Sequence, residues 1–246
     1  MSKIAIITIH YGNFKNLDKT LHSINKQKFK PDLHLVIAKN ISVESVKKYK
    51  FSFRKFIIDH KKDKCIWSAM NIGLMLTKKY HLIFLNSGDK FVSKLSLLLI
   101  KKYIKKYSQL CLSFNTINIF DGLTFRNKNN FFNKNFIPHP SFVRPDCRNK
   151  KVFLFNTKNA IDSDSKWIKN NINLFGIKKI YINITKHFLG GISTNPSIVS
   201  IIKLYLSSKK QGTKELIKYI IRKIIYNTSL YYRIIYFHKY YINKKF

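Results

Sequence analysis

Short apolar runs alternate with helix-like segments through the first half of the chain, and this order restricts the fold more than any other feature. The runs are rich in β-branched residues, whereas the segments between them repeat apolar residues at helical spacing. The pattern predicts strands at residues 3–9, 33–38, 53–59 and 81–85, and helices at residues 17–27, 43–50 and 65–79. Strands joined through helices pair in parallel, so we predict an α/β fold with a mostly parallel, doubly wound sheet flanked by helices.

The second half continues this domain and then changes in composition. Residues 92–107 predict another helix, residues 109–120 predict further strands, and the polar segment at 126–135 predicts a loop suited to a mobile lid. From about residue 209, bulky apolar, tyrosine and basic side chains mix with a single acid, Glu215. We therefore divide the chain into an α/β domain at residues 1–208 and a C-terminal amphipathic, basic and aromatic helical tail at residues 209–246.

Charge is the most unusual property of the composition. The chain has 47 Lys and Arg against 11 Asp and Glu, for a formal net charge of +36. Such a charge attracts nucleic acid, phospholipid or phosphorylated ligands. The three cysteines lack the spacing of a zinc site or a disulfide framework, the first residues lack a signal-peptide cleavage site, and no apolar run is long enough to span a bilayer. We therefore expect a cytoplasmic protein that is soluble or peripheral on a membrane.

The fourth predicted strand ends at a polar turn that contains one of the few carboxylates. Leu85 is followed by Asn86, Ser87, Gly88 and Asp89, all of which are turn formers. A plain turn is one interpretation. The other is a cation site, because open α/β sheets bind their ligands at the carboxyl ends of the strands.

Four stretches together resemble the inverting family 2 glycosyltransferases of the GT-A fold. They are IITIHYGNFKNLDKTLHSI, DKCIWSAMNIGL, IFLNSGDKF, and the series HPSFVRP, AIDSDSKW and GGIS. The second and third are similar to the family pattern D-K-G-I-Y-D-A-M-N-x-G followed by F-L-N-S-G-D, and the order holds over residues 3–195. The likeness is greatest to bacterial enzymes that build O-antigen, capsule or related surface polysaccharide. It implies transfer of a hexose or N-acetylhexosamine from a nucleotide sugar to a lipid-diphosphate-linked saccharide.

The resemblance also implies a divalent cation, Mn²⁺ or Mg²⁺, because the departing diphosphate carries charge and hard cations prefer oxygen ligands. It makes the segment from Asn86 to Asp89 the counterpart of the family's DxD motif, with Asp89 as the metal ligand. Asn86 and Gly88 stand where many relatives have aspartates. The residues expected to contact the nucleotide sugar, with Tyr11 stacking on the base, are Ile9, Tyr11, Asp63, Asn71, Asn86 and Ser87.

An inverting transfer needs a general base for the acceptor hydroxyl, and the resemblance places it in AIDSDSKW. The family pattern I-A-S-D-Y-D matches its base to Asp164, and Asp162 is the alternative. Asp162 or Ser163 also suits the N-cap of the helix that follows, where the helix dipole would keep a base ionised. His139 and Arg144 match an acceptor-side segment, and residues 190–193 resemble a loop near the active site.

One departure from the family concerns the donor. Relatives have an aspartate after the second strand that reads the nucleotide base, whereas this chain has Ala38, Lys39 and Asn40 there. A lysine only donates hydrogen bonds, and an asparagine oxygen lacks the charge that strengthens one. We expect a UDP-sugar, bound more weakly than in relatives that keep the aspartate.

Two other functions remain open. A basic nucleic-acid-binding protein would explain the charge, but not why four of the 11 acids (Asp63, Asp89, Asp162 and Asp164) lie in the matching motifs. A catalytically degenerate relative could act as a membrane-associated scaffold. The tail suits an interfacial helix on an anionic membrane, or else a helix packed on the protein's own core. We predict a peripheral protein on the inner face of the cytoplasmic membrane with no specific nucleic-acid partner.

Overall fold

The computed structural model describes residues 2–11, 14–38, 54–59, 65–120, 123–127, 137–158 and 163–188. Several predicted features lie outside these residues: the helix at 43–50, most of the loop at 126–135, the segment at 190–193, the tail at 209–246, Asp63 and Asp162. No helix in the described part of the chain is long and apolar enough to cross a bilayer.

Apart from a two-residue strand at residues 90 and 91, the described strands and helices follow the predicted order through residue 120. The later strands were not predicted, and one of them includes residues 126 and 127 of the predicted loop. The strands are β1 (Ile4–His10), β2 (Leu33–Ala38), β3 (Lys55–Asp59), β4 (His81–Phe84), β5 (Lys90–Phe91), β6 (Cys111–Phe120), β7 (Leu123–Asn127), β8 (Phe142–Arg144) and β9 (Ile177–Phe188). The helices are α1 (Phe14–Asn25), α2 (Ile66–Leu76), α3 (Ser96–Lys106) and α4 (Ser163–Phe175), with a short 3-10 helix at His139–Ser141.

The described strands form one mixed sheet in the order β3-β2-β1-β4-β8-β6-β9-β5, with β7 paired to β6. The first four strands are all parallel, which confirms the predicted parallel sheet for this half. In the second half, β6 and β9 are parallel, whereas β5, β7 and β8 run antiparallel to their partners. The sheet becomes mixed because β8, a strand of only three residues, enters between β4 and β6 in the opposite direction.

Helices cover both faces of the sheet, which is why the strands read as continuous apolar runs. Every residue of β1 is buried. On one face, α2 and α4 pack through Trp67 and Trp167. On the other face, α1 and α3 contribute Ile24 and Ile100 to a second cluster. The aromatic ring of Phe155 stacks between the two tryptophans, with ring centroids 5.3 and 4.9 Å away, and so joins α2 to the start of α4.

The polar turn lies at the carboxyl edge of the central parallel strands. Beyond the end of β4, Leu85 N–H donates to the Ile7 carbonyl at 2.9 Å and Ser87 N–H donates to the Ile9 carbonyl at 3.0 Å. The pairing with β1 therefore continues into the turn. Open α/β sheets bind ligands at this edge, so the fold gives the turn a position suited to a site.

Candidate active site

The turn from Asn86 to Asp89 is fixed by helix α1. The Asp89 N–H donates to the Asn86 carbonyl at 2.9 Å, and Gly88 between them has φ +103°, a conformation that glycine adopts without steric cost. The Thr20 hydroxyl accepts from Gly88 N–H at 2.9 Å and donates to the Asp89 carbonyl at 2.8 Å. This threonine therefore ties the turn to α1.

Asp89 is buried, at 3% exposure, and its two carboxylate oxygens differ in their hydrogen bonds. Oδ1 accepts from His187 Nδ1 at 2.9 Å and from Phe188 N–H at 3.1 Å. Oδ2 is buried without a hydrogen-bond partner among the described residues. A buried acceptor without a partner is costly, so the free Oδ2 marks a position suited to a cation.

His187 was not singled out from the sequence. It lies near the end of β9, and the antiparallel pairing of Lys90 with Lys186 brings it beside Asp89. Burial opposes a charge on the imidazole, but the charge and hydrogen bond of Asp89 and the charge of Asp164 together raise the pKa of His187 above its ordinary value. Asp89 and His187 thus form an ion pair when the histidine is protonated.

His139 lies between the turn and helix α4. Its Nε2 accepts from Asn86 Nδ2 at 3.0 Å, and its ring meets the His187 ring edge to face, with centroids 5.5 Å apart. Burial lowers the pKa of His139 to about 4; His187 acts in the same direction, and Asp89 opposes both. His139 is therefore neutral at neutral pH.

Asp164 lies in the first turn of α4 and faces His139. Its Oδ1 accepts from Ser165 N–H at 2.8 Å, and its Oδ2 is 3.9 Å from His139 Nδ1. The start of a helix favours a negative charge, and the Ser163 hydroxyl anchors this start by donating to the Asn156 carbonyl at 3.0 Å. The structure thus joins Asp89 to Asp164 through His187 and His139.

Three residues expected to contact the donor lie at the carboxyl ends of β1 and β4, and each makes a different contact. Ser87 Oγ is 2.8 Å from His10 Nδ1. The Ile9 side chain is buried in the core and offers the turn only its backbone carbonyl. Tyr11 is 39% exposed just beyond β1, where its hydroxyl donates to the Cys65 carbonyl at 3.4 Å.

Asn71 and Arg144 are not brought to the two aspartates. The Asn71 side chain donates to the Phe155 carbonyl at 3.0 Å and accepts from Phe155 N–H at 2.7 Å, so both ends of its amide hold backbone. Arg144 is opposite Leu82 in the sheet, and its Nη2 donates to the Thr77 carbonyl at 3.1 Å. Its guanidinium therefore lies toward the amino end of β4, whereas the site is at the carboxyl end.

Three lysines, Lys19, Lys90 and Lys186, surround the outer side of the turn. Lys90 and Lys186 are cross-strand partners, and the Lys90 ammonium lies 5.2 Å from the centre of the Phe188 ring. Partial burial, followed by repulsion from Lys19 and Lys186, lowers the pKa of Lys90. Within the described ranges no carboxylate pairs with any of the three. They form a cationic surface next to Asp89, which we call the lysine cluster.

Comparison with known proteins agrees with this architecture. The family model described as glycosyl transferase family 2 matches residues 5–167. No curated protein sequence matches the chain.

Solved glycosyltransferase structures have a similar fold. S. aureus TarS 1–349 in complex with UDP has a TM-score of 0.60 at 12% identity, over 87% of this chain and 68% of that one. Mannosyltransferase PcManGT from Pyrobaculum calidifontis in complex with GDP-Man and Mn²⁺ has a TM-score of 0.56 at 9% identity, over 86% and 65%. GalNAc-T7 with UDP, GalNAc and Mn²⁺ has a TM-score of 0.56 at 13% identity, over 85% and 48%. At these identities the likeness concerns the fold alone.

Proposed function

The chain belongs to glycosyl transferase family 2 and is a glycosyltransferase of GT-A-like fold, and on this premise we propose that it transfers a sugar, with inversion, from a nucleotide-sugar donor to a lipid-linked saccharide. The observation that carries the proposal is the link from Asp89 through His187 and His139 to Asp164. It places one carboxylate with an unpaired oxygen and one carboxylate at a helix start within a single site.

The donor we propose is a UDP-sugar. Similar structures are described with UDP, with UDP-GlcNAc and with GDP-Man. Tyr11 offers an exposed aromatic face at the carboxyl end of β1, while Asn86 and Ser87 lie at the end of β4 for the diphosphate. Ala38, the cross-strand partner of His10, is buried and offers no carboxylate to the base. Weak binding of uridine follows from that substitution.

A divalent cation fits the site. Asp89 Oδ2 is buried and unpaired, and His187 lies against the same carboxylate. We propose that Asp89 holds the ion through Oδ2 and that His187, in its neutral form, is the second ligand. No group of three or more candidate ligands occurs in the described part of the chain, and Mg²⁺ sites are commonly completed by substrate phosphates. When bound, such an ion stabilises the charge of the departing diphosphate.

Asp164 is the proposed general base. It removes the proton from the acceptor hydroxyl while the acceptor oxygen forms its bond to the anomeric carbon and the bond from that carbon to the diphosphate breaks. Two features support this role: the helix start favours the ionised carboxylate, and Ser165 N–H donates to Oδ1 and so fixes the carboxylate at the start of α4. Asp162, the alternative base, lies outside the described residues.

The lysine cluster supplies positive charge beside this reaction. Like charges on directly opposed strand positions are destabilising, yet Lys90 faces Lys186 and also lies near Lys19. An anionic ligand at this surface would offset the repulsion. We propose that the cluster attracts the diphosphate group of the donor or of the lipid-linked acceptor.

The net charge of the chain bears on its acceptor and its place of action. The net charge of +36 favours an anionic membrane surface, where a lipid-diphosphate-linked saccharide would be found. We propose action at the inner face of the cytoplasmic membrane in the synthesis of O-antigen, capsule or related surface polysaccharide.

The test is a thermal-shift screen of UDP-, GDP- and dTDP-sugars with and without Mn²⁺, because a bound ligand raises the melting temperature by mass action. We expect UDP-sugars to give the largest shift, enhanced by Mn²⁺. A larger shift with GDP- or dTDP-sugars would reassign the nucleotide. No shift and no sugar transfer with any donor would favour the scaffold function instead.

A further inference from the structure

His139 is held on a rigid support between the two halves of the site. Pro138 precedes it and Pro140 follows it, and the Ser141 hydroxyl and N–H both donate to the Pro138 carbonyl, at 2.9 and 3.0 Å. The proline rings fix φ at their positions. The His139 side chain is 12% exposed. Its ring therefore has a defined orientation before any substrate binds.

The contact with Asn86 determines which ring nitrogen carries the proton. In this orientation of the Asn86 amide, Nδ2 can only donate, so His139 Nε2 accepts and carries no hydrogen. The single proton of the neutral imidazole is then on Nδ1. Nδ1 faces Asp164 Oδ2 across 3.9 Å, a separation longer than a hydrogen bond.

The two carboxylate oxygens of Asp164 are thus in different environments. Ser165 N–H, at the start of α4, holds Oδ1 at 2.8 Å, whereas Oδ2 faces the N–H dipole of His139. Asn86, on the other side of the ring, belongs to the turn that carries Asp89. One imidazole therefore connects the turn at the carboxyl end of β4 to the acid at the start of α4.

We propose that His139 is a positioning residue: its neutral Nδ1–H form orients the Asp164 carboxylate relative to the turn that carries Asp89. This inference rests on the proposed function, in which Asp164 is the base. His139 transfers no proton in this role. The proton of the acceptor hydroxyl goes to Asp164, and the N–H of His139 stabilises the ionised carboxylate before that transfer.

Two substitutions separate the two contacts of the ring. Asparagine at position 139 keeps an amide N–H near the place of Nδ1 but has no group at the place of Nε2. Glutamine places its amide oxygen near the position of Nε2, where the oxygen accepts from Asn86 when it faces that amide. Glutamine has no donor at the position of Nδ1. Substitution of His22, an exposed histidine on α1, by glutamine is the matched control.

We expect His139→Gln to lower kcat by about threefold to tenfold, because it removes the Nδ1–H dipole from beside the Asp164 carboxylate, with the donor KM unchanged. Without the N–H, the pKa of the base rises, so the acidic limb of the kcat profile moves to higher pH. His139→Asn keeps an N–H near the position of Nδ1, so it should retain more of kcat and leave the acidic limb at its wild-type pH. His187 and Asp89, the neighbouring ionisable groups, are unchanged in both variants. Equal kcat for both variants and wild type would overturn the inference.

The proton position can be measured without any substrate. ¹⁵N–¹H correlation spectra of the full chain with ¹⁵N-labelled histidine distinguish the Nδ1–H tautomer from the Nε2–H tautomer, and the signals lost in His139→Gln identify His139. We expect the Nδ1–H tautomer at neutral pH. The Nε2–H tautomer or an imidazolium would overturn the inference while leaving the proposed function standing. Absence of nucleoside diphosphate release from all UDP-, GDP- and dTDP-sugars by the wild type would overturn both.

Discussion

His187 Nδ1 lies 2.9 Å from Asp89 Oδ1, although 98 residues separate the two side chains in sequence. Asp89 follows the last parallel strand of the N-terminal half, whereas His187 lies near the end of β9, which pairs with β5 on the far side of the sheet. The site is therefore complete only after both halves of the sheet have formed. Substitutions in β9 should consequently affect the same chemistry as substitutions in the turn.

Asp89→Asn tests the proposed cation site. Asparagine retains an oxygen for Phe188 N–H but loses the charge that attracts a cation, so we expect transfer to fall by about a hundredfold or more. The enhancement of the UDP thermal shift by Mn²⁺ should disappear as well. Near-normal transfer that EDTA does not affect would contradict the assignment of Asp89.

The lysine cluster predicts a charge effect that depends on location. Lys90→Gln and Lys186→Gln should each weaken UDP binding by about threefold to tenfold, because each removes one nearby positive charge. They should also stabilise the unliganded protein slightly by relieving cross-strand repulsion. Titration calorimetry with UDP at fixed ionic strength measures the first effect.

The matched controls are Lys178→Gln and Lys179→Gln, exposed positions at the other end of β9. They change net charge by the same amount. If they weaken UDP binding as much as the cluster variants do, overall charge rather than the cluster is responsible.

The stability of the fold should depend on His81, away from the site. Burial lowers the pKa of His81, although its contact with the Ser108 carbonyl opposes this effect. Because the folded pKa lies below the unfolded value of about 6.5, the unfolded chain takes up a proton first as pH falls. The free energy of unfolding should therefore be constant above that pH and decrease below it.

His81→Gln keeps a nitrogen donor for Ser108 and cannot titrate. In urea unfolding between pH 5 and 8, the wild type should lose more stability on acidification than this variant. Parallel pH dependences would show that His81 is not the group responsible.

The turn from Asn86 to Asp89 and the position of Asp164 were largely predictable from sequence, because the signals for both are local. The strand that precedes Asn86 and the turn that ends at Asp89 are contiguous, and Asp164 lies at a helix start as the AIDSDSKW pattern indicated. Such features depend on neighbours in the chain. The structure links Asp89 to Asp164 through His187 and His139.

The remainder depended on long-range pairing. Thr20 is an ordinary helical residue in the sequence, and only the packing of α1 under the turn gives it its two hydrogen bonds. His187 could have been flagged only as a histidine close to the Gly-Gly pair. Motif position also could not show that Asn71 would hold backbone or that Arg144 would face the other end of β4, because side-chain direction follows from strand register.

The tail at residues 209–246 has a prediction of its own. Truncation after residue 208 should release the protein from anionic liposomes, since each basic residue near such a surface contributes about 1 kcal/mol. Transfer to a soluble acceptor should persist. Sedimentation with liposomes measures the first effect, and an insoluble or unfolded product would favour a tail packed on the protein's own core.

The most direct measurement compares nucleoside diphosphate release, coupled to acceptor glycosylation, by the wild type and by Asp164→Asn. Loss of the general base should lower kcat by about a hundredfold or more, while the thermal shift with UDP remains at the wild-type value. Asp162→Asn, two residues earlier, is the matched control and should remain active. Wild-type turnover by Asp164→Asn, or loss of turnover in Asp162→Asn alone, would contradict the assignment of the base.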